Sequence, residues 1–264
     1  MSFATLFPQY FPWLALVLGL CLGSFATACV HRYLAGQTVL NPPRSYCPHC
    51  ERQLKWWENI PLASYILLRG RCSCERREPI GSRYIALEAL SGAFALAFAL
   101  KCGPSPAFLV YVAFTTALLI ASFIDFAEYI LPDGITLTGA AAALICAPLF
   151  LGVPLFDSAL GAILGAGLFW ALQVGYRLLR KDEGMGTGDI KLMALLGALN
   201  GWQALPFTIL AGSVSALAAS LFYLRKTDAL GLKTAVPFGP FLTLGGLLAP
   251  LVADRVTAWY LGLL

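Results

Sequence analysis

Residues 106–125 read PAFLVYVAFTTALLIASFID. Nineteen residues without a charge end at a single carboxylate, Asp125. An apolar run of that length crosses the hydrocarbon core of a bilayer as one helix. The same pattern recurs along the chain, with spans read at 10–30, 84–100, 106–124, 134–151, 158–178, 189–201, 204–224 and 236–252. Hydrophobic residues make up 59% of the 264 positions and charged residues 12%, with a mean hydropathy of +0.75. Soluble domains carry about 45–50% apolar and about 25% charged residues. The composition excludes a soluble enzyme, a disordered chain, a coiled coil and a small disulfide scaffold. An outer-membrane barrel is excluded because the apolar runs are continuous and do not alternate. The fold class is therefore an all-α polytopic membrane protein of about eight transmembrane helices.

Charge sets the orientation. The net charge is +4, and 16 of the 18 basic residues fall in loops on one side of the eight spans, leaving only Lys101 and Arg255 on the other. Positive loops stay cytoplasmic, so both termini lie outside. No cleavable signal peptide is expected, since the first apolar run leads into His31-Arg32 without a small-residue cleavage site. Three segments follow: a first transmembrane helix over 1–30, a cytoplasmic cysteine-containing insert over 31–83, and a transmembrane core over 84–264.

The insert holds nine basic and four acidic residues, with Cys47 and Cys50 in Cys-Pro-His-Cys and Cys72 and Cys74 in Cys-Ser-Cys. Thiols in a reducing compartment pair around metal more often than as disulfides. Four thiolates make a closed tetrahedral zinc site, and such a site folds a loop that lacks its own core. The insert is therefore read as zinc-ribbon-like with a structural zinc, the competing reading being a loop with unligated thiols. One residue separates the second pair where two are usual, and His49 is the alternative ligand. Cys21, Cys29, Cys102 and Cys146 lie in or at the ends of spans and read as small apolar residues. Nucleic acid is not an expected partner, because topology and anionic lipid already account for the basic charge.

A carboxylate within a span costs at least about 2.5–3.5 kcal/mol on insertion scales, so Asp125 and Asp189 call for a reason. Asp125 ends the third span and Asp189 opens the sixth, both at the cytoplasmic edge. Two carboxyls that meet cannot both ionise easily. One then draws a proton from water as it attacks an amide carbonyl, while the other hydrogen-bonds the carbonyl oxygen and helps protonate the leaving amine. That is aspartic-protease chemistry. Gly184, Gly186 and Gly188 precede Asp189 and permit close approach of another backbone. Taken alone, Asp189 also reads as an acid favoured by a helix N-terminus, and Asp125 as a residue reaching for the interface. Asp133, in Leu-Pro-Asp-Gly, is the competing candidate and also reads as a turn or N-cap.

Several stretches, in chain order, resemble the bacterial type IV prepilin peptidase family. They are Gly23-Ser24-Phe25 with Arg32, then the paired cysteines around Glu58-Asn59-Ile60-Pro61-Leu62 and Leu68-Arg69-Gly70-Arg71-Cys72. Arg83-Tyr84 with Glu88 follows, then Ile124-Asp125 with Leu131-Pro132-Asp133, Gly-Met-Gly-Thr-Gly-Asp ending at Asp189, and Pro237-Phe238-Gly239-Pro240. The resemblance runs from about residue 19 to 245. It implies a bifunctional enzyme of the bacterial inner membrane, with its active site facing the cytoplasm. Such enzymes cut the basic leader from prepilins and pseudopilins after a glycine. They then methylate the exposed amino group, usually of phenylalanine, using S-adenosylmethionine. The family's catalytic aspartates fall on Asp125 and Asp189, and its tetracysteine zinc domain on Cys47, Cys50, Cys72 and Cys74; the Cys-Ser-Cys pair departs from the family pattern. The methyl donor rests on the resemblance alone. Prepilin substrates and membrane lipid are the expected partners. The alternative from another class is a transporter using membrane carboxylates for ion coupling, but here they lie at one face and no inverted repeat is visible. A scaffold that docks a partner through its zinc loop is a further alternative.

Overall fold

The computed structural model describes residues 3–38, 46–47, 52–73, 81–180, 186–226 and 237–261, with backbone alone at 3–8, 82, 180, 223–226 and 254–261. Among these residues the chain is helical and holds no strand; one isolated antiparallel bridge joins Tyr46 to Gln53. The helices are α1 (Phe3–Leu34), the short α2 (Ala63–Leu67), α3 (Ser82–Cys102), α4 (Pro106–Glu128), α5 (Asp133–Cys146), α6 (Leu155–Arg180), α7 (Thr187–Asn200), α8 (Leu205–Lys226) and α9 (Gly239–Leu261). Each of the eight expected apolar stretches is thus helical. Among the described residues six segments are long and apolar enough to cross a membrane: Gln9–Leu34, Arg83–Cys102, Pro106–Glu128, Asp133–Leu151, Leu155–Leu179 and Trp202–Phe222. The apolar part of α9, Gly239–Ala253, is shorter. So is α7, whose 14 residues make a rod of about 21 Å at ~1.5 Å per residue. The fourth apolar stretch reaches Leu151 through a π-helical turn at Ala147–Leu151, where Pro148 lacks the N–H that a continued α-helix would use.

The chain forms two compact units, residues 1–123 and 124–264. In the first, α1 lies along α3. Small residues bring the two backbones together: a Cβ on Gly19 would stand 2.5 Å from the Ala95 Cβ, and one on Gly23 2.6 Å from the Glu88 Cα. Such contacts replace the hydrophobic drive that lipid removes between helices. Phe98, fully buried, stacks on Tyr111 with ring centroids 4.4 Å apart. Within the insert, a 3₁₀ turn at Trp56–Asn59 precedes α2.

In the second unit α7 is the central element and contacts α5, α6 and α9. Leu192, Met193 and the run Leu195–Leu199 are buried. Gly161 and Gly197 touch backbone to backbone. Around them the Ser158 hydroxyl donates to the Ala198 carbonyl at 2.6 Å, and the Asn200 amide to the Gly246 carbonyl at 2.9 Å. Beyond the C-terminal end of α7, the Trp202 indole and the Gln203 amide both donate to Asp157, at 3.1 and 2.9 Å. The position of α7, and so of its first turn, is fixed on several sides.

Candidate active site

Asp125 sits in the last turn of α4, beside fully buried Ile124, and is itself only 6% exposed. Asp189 is the third residue of α7 and is half-buried. The two carboxyls, from helices far apart in the chain, lie close enough for the charge of Asp125 to act on Asp189. The sequence pairing of these two residues thus has its counterpart in space.

A third element reaches the pair. The backbone N–H of Gly239, the first residue of α9, donates to the Asp125 carboxylate. A Cβ there would lie 2.5 Å from Asp125 Oδ2 and 3.0 Å from Leu131 Cδ1. Leu131, buried, also bears on Gly188, whose Cβ would meet the Leu131 Cβ at 3.0 Å. Gly188 and Gly239 thus hold the same leucine from two elements, and both adjoin a carboxylate. The rings of Phe238 and Phe241 secure the start of α9. Phe238 stacks on Phe169 at 6.3 Å, and Phe241 meets Phe126 edge-on at 5.9 Å. The sequence carried Pro237-Phe238-Gly239-Pro240 only as part of a resemblance; a backbone donor leaves no side-chain signature.

Asp133 goes elsewhere. It opens α5, exposed, and its Oδ1 accepts from Lys191 Nζ at 2.6 Å. Pro132 occupies the N-cap position, so Asp133 does not cap the helix; its carboxylate serves a link between the first turns of α5 and α7. Of the three glycines before Asp189, Gly184 lies outside the described residues.

In the other unit, Cys47 and Cys72 are both buried, their sulfurs 3.2 Å apart. The Cys47 N–H donates to the Arg52 carbonyl at 2.9 Å. Cys50, Cys74 and His49 lie outside the described residues. Among the described residues no group of three metal-binding side chains is present. Near Cys72, Glu58 forms a latch. It accepts from Arg52 at 2.8 Å, from the Lys55 N–H at 2.7 Å and from the Ser73 hydroxyl. Burial pushes the Glu58 carboxyl up, but hydrogen bonds from Ser73, Arg52 and the Lys55 backbone outweigh it and hold the group below its ordinary value.

Residues 17–102 match the Bacterial Peptidase A24 N-terminal domain, and residues 112–221 match the Type IV leader peptidase family. The chain belongs to this leader peptidase family. Relatives named "Prepilin leader peptidase/N-methyltransferase" cover most of its length. The one from Pseudomonas putida is 38% identical, across 97% of this chain and 96% of the relative. The one from Burkholderia pseudomallei (strain 1026b) is 39% identical, across 88% and 82%. The one from Aeromonas hydrophila is 35% identical, across 95% of each. No solved structure matches. The type IV leader peptidase match, at 112–221, holds both Asp125 and Asp189.

Proposed function

We propose that this protein is a membrane-embedded aspartic endopeptidase that removes the leader from type IV prepilins or pseudopilins and then methylates the new N-terminus. The observation that carries the reading is the meeting of Asp125 and Asp189 in a chain of this family. The two act as one unit holding one proton. The ionised member takes a proton from water as the water oxygen attacks the scissile carbonyl. The protonated member donates a hydrogen bond to the carbonyl oxygen and, as the carbon–nitrogen bond breaks, helps protonate the leaving amine. Gly239 holds the Asp125 carboxylate in place by its backbone N–H.

The eight apolar helices span the bacterial inner membrane, the two short ones covered by their neighbours. The distribution of basic residues supports a cytoplasmic dyad and insert. A prepilin helix then lies in the bilayer while its basic leader and scissile bond meet the dyad at the interface. In the insert, 31–83, Cys47, Cys50, Cys72 and Cys74 hold a structural zinc ion. The convergence of two buried thiols, Cys47 and Cys72, supports this. S-adenosylmethionine supplies the methyl group on a sulfonium, from which an amine takes it.

Mass spectrometry of a prepilin coexpressed with this chain tests both activities. The expected product lacks its leader and carries one added methyl group on the new N-terminus. A full-length prepilin would overturn the peptidase reading. Elemental analysis of protein purified without chelator is expected to find about one zinc per chain, lost in Cys47→Ser.

A further inference from the structure

Residues 55–71 of the insert carry large apolar side chains on the outside of the fold. In the 3₁₀ turn Trp56–Asn59 and the helix α2 that follows it, Trp56 is 75% exposed, Ile66 73% and Leu67 77%. Trp57 and Ile60 are exposed as well. The two elements join directly, the Ser64 N–H donating to the Ile60 carbonyl at 3.0 Å. Neither belongs to a candidate membrane span, so spanning does not account for this surface.

Its depth follows from one hydrogen bond. The Leu62 N–H, at the entry to α2, donates to Glu88 Oε2 at 2.9 Å. Glu88 stands five residues inside the span Arg83–Cys102, about 7.5 Å along its axis. Even a fully extended glutamate there brings Leu62 no further out than about the start of the span. That is the layer where amphipathic segments lie, with apolar side chains about 5–10 Å into the headgroup boundary, and where tryptophan is enriched. By contrast α1, whose Gly23 packs on Glu88, runs eleven residues further to Leu34, about 16 Å beyond that level.

The charge of the segment has one sign. Lys55, Arg69 and Arg71 are exposed, and the Lys55 ammonium lies over the Trp57 ring, 5.0 Å from its centroid. The one carboxylate within 52–73, Glu58, has a side chain only 4% exposed and is held by Arg52. Basic side chains beside tryptophan and aliphatic groups match anionic lipid, with the phosphates outside and the acyl chains within.

We propose that residues 55–71 are an interfacial anchor for anionic lipid. Trp56, Ile66 and Leu67 enter the headgroup boundary, and Lys55, Arg69 and Arg71 meet lipid phosphates. A basic leader would meet like charge on this face, and so would the same face of a second copy. The anchor goes beyond the cleavage and methyl-transfer readings and depends on neither.

Photo-crosslinking of the full-length protein tests this in vesicles of phosphatidylcholine with a minority of phosphatidylglycerol. A benzophenone amino acid is placed singly at Trp56, at Leu67 and at Gln37, which is exposed and hydrogen-bonded back to Arg32 at the outer end of α1. Mass spectrometry is expected to find phospholipid adducts at Trp56 and Leu67 and none at Gln37. Phosphatidylglycerol is expected in those adducts at about fivefold its share of the bilayer. Replacing Lys55, Arg69 and Arg71 together by Gln is expected to abolish that enrichment and to keep the adducts themselves, since the apolar side chains remain. Trp56 and Leu67 lie on separate elements, so a chain misfolded by one probe leaves the other to report. Products joined to this chain, to a second copy or to added prepilin in place of lipid would overturn the anchor. So would equal lipid labelling at Gln37, or an enrichment that survives loss of the three charges.

Discussion

On the proposed function, the carboxyls of Asp125 and Asp189 carry the chemistry themselves, so small changes there act on activity before stability. Asp125→Asn and Asp189→Asn are each expected to abolish prepilin cleavage with normal expression, since the amide keeps the carboxylate's shape but cannot shuttle the proton. Asp133→Asn is expected to retain substantial activity, because that residue is exposed and engaged with Lys191. Cleavage assays on membranes adjusted to equal enzyme content check all three; normal cleavage by the Asp125 variant with loss in the Asp133 variant reverses the assignment. Gly239→Ala offers a finer probe. Its methyl group would stand 2.5 Å from Asp125 Oδ2, so the carboxylate must move. A displacement of this size at a reacting group costs about a hundredfold in rate. The loss is expected in kcat with KM little changed, because the glycine faces a catalytic carboxyl and not the leader. A KM rise alone would argue that Gly239 touches substrate.

At the scale of elements, the Glu58 latch ties the turn before α2 to the segment holding Cys72. Its carboxyl is held below its ordinary value in the fold, so the stabilisation is complete above the unfolded carboxylate pKa and is lost as pH falls through the folded one. Mild acid is expected to loosen the insert before the helices, read as faster limited proteolysis within 52–73. Glu58→Gln is expected to remove that acid sensitivity and to leave the insert looser at neutral pH, since hydrogen bonds to a charged group contribute about 1.5–3 kcal/mol. An unchanged acid profile in the variant would show that another group governs it.

The helices were legible because an apolar run in a charge-poor chain has few other fates. All eight expected stretches are helical. Their ends differ from expectation where polar residues extend a helix past its apolar part. The first runs on through His31 and Arg32 to Leu34, and α6 begins at Leu155 and ends at Arg180. The 3₁₀ turn and α2 escaped notice, since Trp56–Leu67 is too short to show a period. The proximity of Asp125 and Asp189 was legible for the opposite reason: a carboxylate at the end of an apolar run is costly enough to call for a partner or a role. Gly239 was not, because a backbone N–H belongs to every residue but proline. Leu131 was hidden as an ordinary apolar residue whose importance lies in the two glycines it touches.

At the scale of the whole molecule, the carboxyl pair and the cysteine-bearing insert lie in different units. The carboxyl pair and Gly239 belong to 124–264, and the insert belongs to 1–123. The family matches divide similarly, at 17–102 and 112–221. Asp189→Asn is therefore expected to transfer a labelled methyl group to a pre-cleaved pilin peptide at close to the normal rate, while failing to cut prepilin. Loss of both together would show that the dyad also serves methyl transfer.

The brevity of α7 bears on which bond is cut. Its length of about 21 Å falls short of a hydrocarbon layer of about 30 Å. Lipid near a short lone helix would thin to match it. Here α5, α6 and α9 wrap α7 instead, so protein makes up the shortfall, and the Asp189 end is tied level with the first turn of α5 through Lys191 and Asp133. The blade is thus mounted at a fixed depth. A substrate helix that floats at its own level in the lipid offers whichever peptide bond comes to that depth. The position of cleavage then depends on distance along the membrane normal as well as on residue identity, and a host membrane of altered thickness would move the cut.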